Sequence, residues 1–201
     1  MHSLTCIILA AGDSSRMGAP KALLEHEGRT FLCRICAAVA AAGVKDIVVV
    51  AGRHFEEIRR AAPGFGERYV PNPAPEGGMI SSVRAGLRAV PDNASGALIA
   101  LVDQPAIAED IFRIVAGAHE ETPGDIIIPR YLGKKRGHPI VLPRAVFPLC
   151  FAGPDNLGLH WVTHHASVTV RDIDFSDRSI ISDIDTPEDY RKLKGELTNG
   201  S

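Results

Sequence analysis

The stretch Leu4-Thr5-Cys6-Ile7-Ile8-Leu9-Ala10-Ala11-Gly12-Asp13-Ser14-Ser15-Arg16-Met17-Gly18-Ala19-Pro20-Lys21 passes from a short apolar run directly into a loop of small and basic residues. Leu4–Leu9 reads as a buried strand. In a parallel sheet the loop that follows lies at the carboxyl edge, where α/β proteins bind their ligands. Ala10, Ala11 and Gly12 let a ligand approach the backbone closely. Amide groups in such a loop cradle an anion. Arg16 offers a two-pronged fork for phosphate oxygens and Lys21 a point charge. The loop therefore suits a polyphosphate. It is not a Walker A loop, because Lys21 lacks a following Ser or Thr, and the Gly-x-Gly-x-x-Gly dinucleotide pattern is absent.

Outward from this loop, short apolar runs alternate with helical patterns. Ile47–Ala51, Leu98–Val102 and Ile126–Ile128 read as further buried strands. Their all-apolar character suits a parallel sheet covered on both faces. Between them, Phe31–Ala42, Phe55–Ala62, Met79–Ala89 and Ile111–His119 read as helices, with Thr30 capping the first and Gly43 ending it. The expected fold is α/β, a three-layer α/β/α arrangement around a mostly parallel sheet. Regularity weakens from Gly133. Lys134–Pro143 reads as basic and turn-rich, followed by a short helix and a strand near Val168–Arg171. Near the end, Thr186-Pro187-Glu188-Asp189 reads as a capping box with proline at the first helical position. No linker or repeat divides the chain, so residues 1–201 are expected to form a single domain, with 196–201 a frayed tail.

Composition narrows the function. Of 201 residues, 45% are hydrophobic and 23% charged, which excludes global disorder. The net charge of −2 argues against a nucleic-acid binder. No apolar run approaches the roughly 20 residues of a membrane span. The amino terminus lacks a basic leader, so it is not read as a signal peptide. Four cysteines are too sparse for a disulfide framework, and a cytoplasmic setting is expected.

Two acidic motifs add chemistry. Asp103, in Leu101-Val102-Asp103-Gln104-Pro105, falls where a buried strand ends, a natural place for a Mg²⁺ ligand or a turn-capping side chain. Asp183 and Asp185 stand two apart on the approach to the last helix and share one side of an extended chain.

Together these segments resemble the MobA-like nucleotidyltransferases, the family that contains the molybdenum-cofactor guanylyl- and cytidylyltransferases. The likeness is carried by Leu9-Ala10-Ala11-Gly12 through Lys21, Asn72-Pro73 with Gly77-Gly78-Met79 and Ser81-Ser82-Val83, Asp103-Gln104-Pro105, Arg136-Gly137-His138-Pro139 and the Asp183–Asp189 ending. It spans nearly the whole chain, in order. One stretch departs. Where members often carry a Gly-Asp-x-Gly-Ala-Arg-like segment, this chain has Gly153-Pro154-Asp155-Asn156-Leu157-Gly158.

The resemblance implies a nucleotide-diphospho-sugar-transferase-like fold and transfer of a nucleotidyl group from an NTP to a phosphorylated acceptor, with release of pyrophosphate. It implies that Leu9, Ala10, Ala11, Gly12, Asn72, Gly77, Gly78 and Ser82 bind the nucleoside, and that Arg16 and Lys21 hold the triphosphate. It also implies that Asp103 and Asp185 hold Mg²⁺, with Arg16, Lys21 and Asp103 as the catalytic set. Arg136, His138 and Asp183 fall on the acceptor side. Ala10-Ala11-Gly12, rather than Ala-Gly-Gly, leans toward CTP and a molybdopterin acceptor, with a molybdoenzyme or its chaperone as a further partner. A sugar- or polyol-phosphate nucleotidyltransferase and a non-catalytic nucleotide-binding accessory protein are the alternatives.

Other features read as structural. Cys33-Arg34-Ile35-Cys36 falls within an apolar helix and reads as packing. His164-His165 cannot both face one metal from a helix. Trp161 reads as core or lid packing. For His138, in its basic loop, anion contact and surface charge both stand.

Overall fold

The computed structural model describes residues 3–195 apart from Asp13, Ser15 and Ala62, so the expected tail at 196–201 lies outside the described residues. The strands are β1 (Ser3–Ala10), β2 (Glu25–His26), β3 (Arg29–Thr30), β4 (Asp46–Ala51), β5 (Arg68–Pro71), β6 (Ala94–Leu101), β7 (Ile126–Tyr131), β8 (Lys135–Arg136), β9 (Ile140–Pro143) and β10 (Val170–Phe175). The helices are α1 (Phe31–Ala41), α2 (Phe55–Arg60), α3 (Gly78–Leu87), α4 (Glu109–Glu121), α5 (Phe147–Ala152), α6 (Gly158–Thr163) and α7 (Pro187–Leu193). The main sheet runs β10-β7-β9-β6-β1-β4-β5, with β8 paired to β7, while β2 and β3 form a separate hairpin. β5, β4, β1 and β6 are parallel neighbours, as are β7 and β10. Only β9 and the short β8 run against their partners.

The central strands β1, β4, β6 and β9 and most of β7 are buried on both sides, which is why their sequences are apolar rather than alternating. In β1, Cys6, Ile8 and Ala10 face α1 and α4 through Leu32, Ile35, Ile111 and Phe112. Ile7 and Leu9 face the other layer, where Ile80 and Val83 of α3, Cys150 of α5 and Val162 of α6 pack. Helix α3 tolerates Gly86 in its interior because any side chain there would collide with Ile7 and Val50. Thr30 caps α1 by accepting from the Cys33 amide, and Gly43 follows in a left-handed conformation, φ 91°.

Lys134–Pro143 is corrected by the structure. This segment carries β8 and β9, and β9 is fully buried, wedged antiparallel between β6 and β7. Cys36 is buried in α1 and Cys33 partly buried; all four cysteines are free. No helix among the described residues is long and apolar enough to cross a membrane.

Candidate nucleotide site

At the carboxyl edge of β1 the chain turns away from the sheet and returns as a 3₁₀ turn, Lys21–Leu23. Ser14, at φ 49°, organises the return: its amide-linked carbonyl accepts from Met17 N (2.9 Å) and its hydroxyl accepts from Lys21 N (3.1 Å). Lys21 is thereby delivered back to the sheet edge. Next to it, β6 ends at Leu101, and Val102 N continues the ladder by donating to Leu9 O at 3.2 Å. That last bond fixes where Asp103 leaves the sheet.

A third segment closes the cluster. Before α7 the chain passes Asp183 and Asp185 and enters the predicted capping box, in which Thr186 accepts from Asp189 N and Asp189 accepts from Thr186 N. Tyr190 of α7 donates to Glu25 O (2.6 Å) and meets Phe31 edge-on, tying the last helix to the first hairpin.

These three segments bring one ammonium against two carboxylates. Lys21 Nζ donates to Asp103 Oδ2 at 2.8 Å and to Asp185 Oδ1 at 2.5 Å. The Lys21 and Asp103 side chains are 14% and 22% exposed, Asp185 51%. Burial pulls the Lys21 pKa down, but the two carboxylates outweigh it and hold the ammonium charged. Burial pushes the Asp103 carboxyl up against the pull of Lys21, and the charges of Asp183 and Asp185 add to the push. Asp103 is thus a carboxylate that gains from an added cation.

Two adjoining depressions share Leu9, Gly12 and Asp103. One, of about 510 Å³, is floored by Leu9, Ala11, Leu101 and Met79 and rimmed by Gly78, Ser82, Arg53 and Glu76. The other, of about 350 Å³, is polar, with Ala10, Ser14, Arg16, Lys21 and Asp185 around it. An apolar slot with a polar, charged annex matches a nucleoside joined to phosphates.

Most residues read from the sequence meet here. Leu9, Ala10, Ala11, Gly12, Arg16, Lys21, Gly78, Ser82, Asp103 and Asp185 line the two depressions. Asn72 and Gly77 stand behind them. Asn72 is buried and donates to Ser81 and Ser82 hydroxyls at 2.8 and 3.0 Å, while accepting from Ala74 N. It shapes the loop rather than lining the cavity.

The acceptor-side residues are engaged elsewhere. Arg136 pairs bidentately with Asp172 at 2.7 and 3.0 Å. Asp183 accepts from Gln104 Nε2 at 2.7 Å, so of the two acids it is Asp185 that reaches Lys21. His138 carries no surface charge, because burial depresses its pKa to about 4 and its Nε2 is enclosed. The departing segment at Gly153–Gly158 is fastened by Arg84, which donates to Cys150 O (2.7 Å), Gly153 O (2.6 Å) and the Asp155 carboxylate. Trp161 packs closely on Gly153, and His164 stacks on His160 with ring centroids 3.9 Å apart.

Arg53 and Glu76 were missed. The available signal is Gly52-Arg53 directly after the buried strand β4: a side chain at Gly52 would press on Ala11 O at 2.9 Å, so two loops meet there.

The family profile of the MobA-like NTP transferase domain matches residues 6–168. The chain belongs to this family. It is therefore an enzyme of the nucleotidyltransferase class. Among relatives of this MobA-like chain, molybdenum cofactor cytidylyltransferase of Escherichia coli (strain K12) is 29% identical over 201 residues, covering 98% of this chain and 99% of the relative. Nicotine blue oxidoreductase of Paenarthrobacter nicotinovorans is 30% identical over 198 residues, covering 94% and 96%. Among solved structures, Rv0371c of Mycobacterium tuberculosis H37Rv superposes with a TM-score of 0.84 at 28% identity, covering 96% of this chain and 98% of that one. A second structure of Rv0371c, in complex with manganese, gives 0.78 at 27% identity, covering 97% and 100%.

Proposed function

We propose that this chain transfers a cytidylyl group from CTP to a phosphorylated acceptor of the molybdopterin type, with Mg²⁺, and releases pyrophosphate. The observation that carries the reading is the Lys21 ammonium set between Asp103 and Asp185 in the polar depression that adjoins an apolar cavity. The residues fit a divalent cation. Two hard carboxylates converge on a single cationic point, and Mg²⁺ takes one or two carboxylates with the remaining positions filled by phosphate oxygens and water. Among the described residues no group of three or more His, Cys, Asp or Glu side chains gathers to hold a metal unaided, which matches a site completed by substrate. Asp103 and Asp185 would hold the ion; when bound, it offsets charge on the phosphates during in-line displacement.

The protein's own residues do the rest. The small side chains of Ala10, Ala11 and Gly12 bring the nucleotide against the backbone. Leu9, Leu101 and Met79 exclude water from the base. Lys21 and Arg16 neutralise the leaving pyrophosphate. An acceptor phosphate is already ionised at neutral pH, so no general base is needed. The preference for CTP is supported by Ala11, which lines the cavity where the family resemblance sets Ala against Gly. We further propose that residues 1–201 form one domain, supported by a main sheet built from segments between Ser3 and Phe175, and that it works in the cytoplasm, supported by four free cysteines.

The test is a thermal-shift panel of NTPs with Mg²⁺, followed by pyrophosphate release with a molybdopterin-type acceptor. CTP should raise the midpoint most, by mass action. Turnover only with UTP and a sugar phosphate would move the acceptor to that class. A chain that binds no NTP yet turns over nicotine blue would side with the relative named an oxidoreductase.

A further inference from the structure

We infer that Gln104 is a positioning residue that sets the separation of the Asp103 and Asp185 carboxylates, holding the segment that carries Asp185 against the end of β6. The inference rests on the transferase reading above.

Gln104 follows Asp103 directly and is 2% exposed. Its backbone is fixed on both sides: Gln104 N donates to Leu101 O at 3.2 Å, and Gln104 O accepts from Ile107 N at 3.3 Å. The side chain crosses to the far segment. Nε2 donates to Asp183 Oδ1 at 2.7 Å and to Ile180 O at 3.3 Å. Both partners are acceptors, so the amide has one sensible orientation, and Oε1 is left buried without a protein partner. A leucine would fill such a place without exposing a polar atom to that cost. The amide is therefore present for its hydrogen bonds rather than for packing.

The far segment is also anchored by Ile180 and Ile184, which are 0% and 8% exposed. Ile184 N donates to Asp103 O at 2.9 Å, and His138 N donates to Ile180 O at 3.0 Å. Beyond Asp185 the α7 capping box takes over, with Asp185 N donating to Asp189 Oδ2 at 3.3 Å. Asp185 itself is half exposed, so no packing fixes its carboxylate. Its place follows from the Lys21 ion pair, from the Gln104 and Asp103 contacts to the segment before it, and from the helix cap after it. Residues Asp103 and Gln104, adjacent in sequence, thus grip the segment at three points, through one backbone and two side-chain bonds. Groups that support ligating carboxylates from behind usually matter about 10- to 100-fold in metal affinity.

The test is Mn²⁺ binding by electron paramagnetic resonance on the full chain, with a non-hydrolysable CTP analogue present. Gln104→Leu removes both donor bonds. Asp183→Ala removes the acceptor at an exposed position and decides the matter should Gln104→Leu not fold. Asp183→Asn keeps an acceptor oxygen. Gln104→Leu and Asp183→Ala should weaken Mn²⁺ about tenfold or more. Asp183→Asn should stay near wild type, and affinity for the CTP analogue without metal should be unchanged in all three. Wild-type Mn²⁺ affinity in both weakened variants overturns the inference while leaving the transferase reading intact. So does an Asp183→Asn variant as weak as Asp183→Ala, which would assign the effect to charge. A wild-type chain that binds no Mn²⁺ overturns the inference and the transferase reading together.

Discussion

Replacing Lys21 by Met probes the centre of the site. In the wild type one ammonium serves two carboxylates, at 2.8 and 2.5 Å. Each contact has a gross attraction of about 6 kcal/mol at an effective dielectric of 20. Most of this is offset by desolvation, and removing one partner of a buried pair typically costs about 3–5 kcal/mol. Asp185 is 51% exposed, which discounts its share, so a net loss of about 2 kcal/mol is expected. For a chain of this size that lowers the melting midpoint by roughly 4–8 °C. The same variant leaves the two carboxylates facing each other without a cation. Mn²⁺ alone should therefore stabilise Lys21→Met, by about 2.7 kcal/mol in total at a hundredfold excess over the variant's dissociation constant, and should stabilise the wild type less. Loss of a charged contact to phosphate should weaken the CTP analogue by about 1.5–3 kcal/mol, or roughly 10- to 150-fold. Scanning calorimetry with and without Mn²⁺, and titration calorimetry with the analogue, measure all three. Unchanged stability together with unchanged nucleotide affinity would refute the assignment of Lys21 to the site. An equal response of both proteins to Mn²⁺ would refute the idea that the ammonium stands on the metal's ground.

Asp103→Asn should slow pyrophosphate release by about 10²-fold or more while the fold is retained, as read by turnover and melting together. Ala11→Gly should shift the CTP-to-GTP ratio of kcat/KM toward GTP by about tenfold, the worth of one methyl in a close-fitting pocket. Cys36→Ser should keep transferase activity and lose stability by about 1–3 kcal/mol in denaturant titration, since it puts a hydroxyl into the core beneath β1. His138 gives a pH dependence. Its pKa falls from 6.5 to about 4 on folding, so the unfolded chain binds the proton first. The stability it contributes is full above about pH 6.5, declines as pH falls toward 4, and is worth up to about 3 kcal/mol. Urea titrations across that window should show a shallower decline in His138→Asn than in wild type, and parallel curves would contradict the burial of the ring.

The nucleotide half was legible because its signals are local. A buried strand, a small-residue loop and a strand-end acid each declare themselves within a few residues, and the Thr186 capping box does so within four. What stayed hidden depends on partners far along the chain. Ile140–Pro143 is only four residues long and follows a basic turn, so nothing local marks it as a central strand; its place comes from pairing with β6 and β7. β5 is an edge strand with a half-exposed pattern and lacks the continuous apolar run that revealed its neighbours. Asp183 and Asp185 are indistinguishable by spacing. Gln104, 79 residues from Asp183, separates them by claiming the first. The Asp172 partner of Arg136 and the segment that encloses His138 Nε2 come from later in the chain, so no local signal announced either.

Lys21 and Asp185 are 164 residues apart, and Tyr190 reaches back to Glu25. Among the described residues, the apolar cavity is by contrast lined only by residues between Leu9 and Asp103. During synthesis the two halves of the site therefore become available at different times. A chain halted before Asp185 already carries the described residues that line this cavity, yet lacks one of the two acids that meet Lys21. The carboxylate pair around Lys21 closes only once the segment before α7 has been made, so on the proposed function the capacity to hold a nucleoside would precede the capacity to react with it.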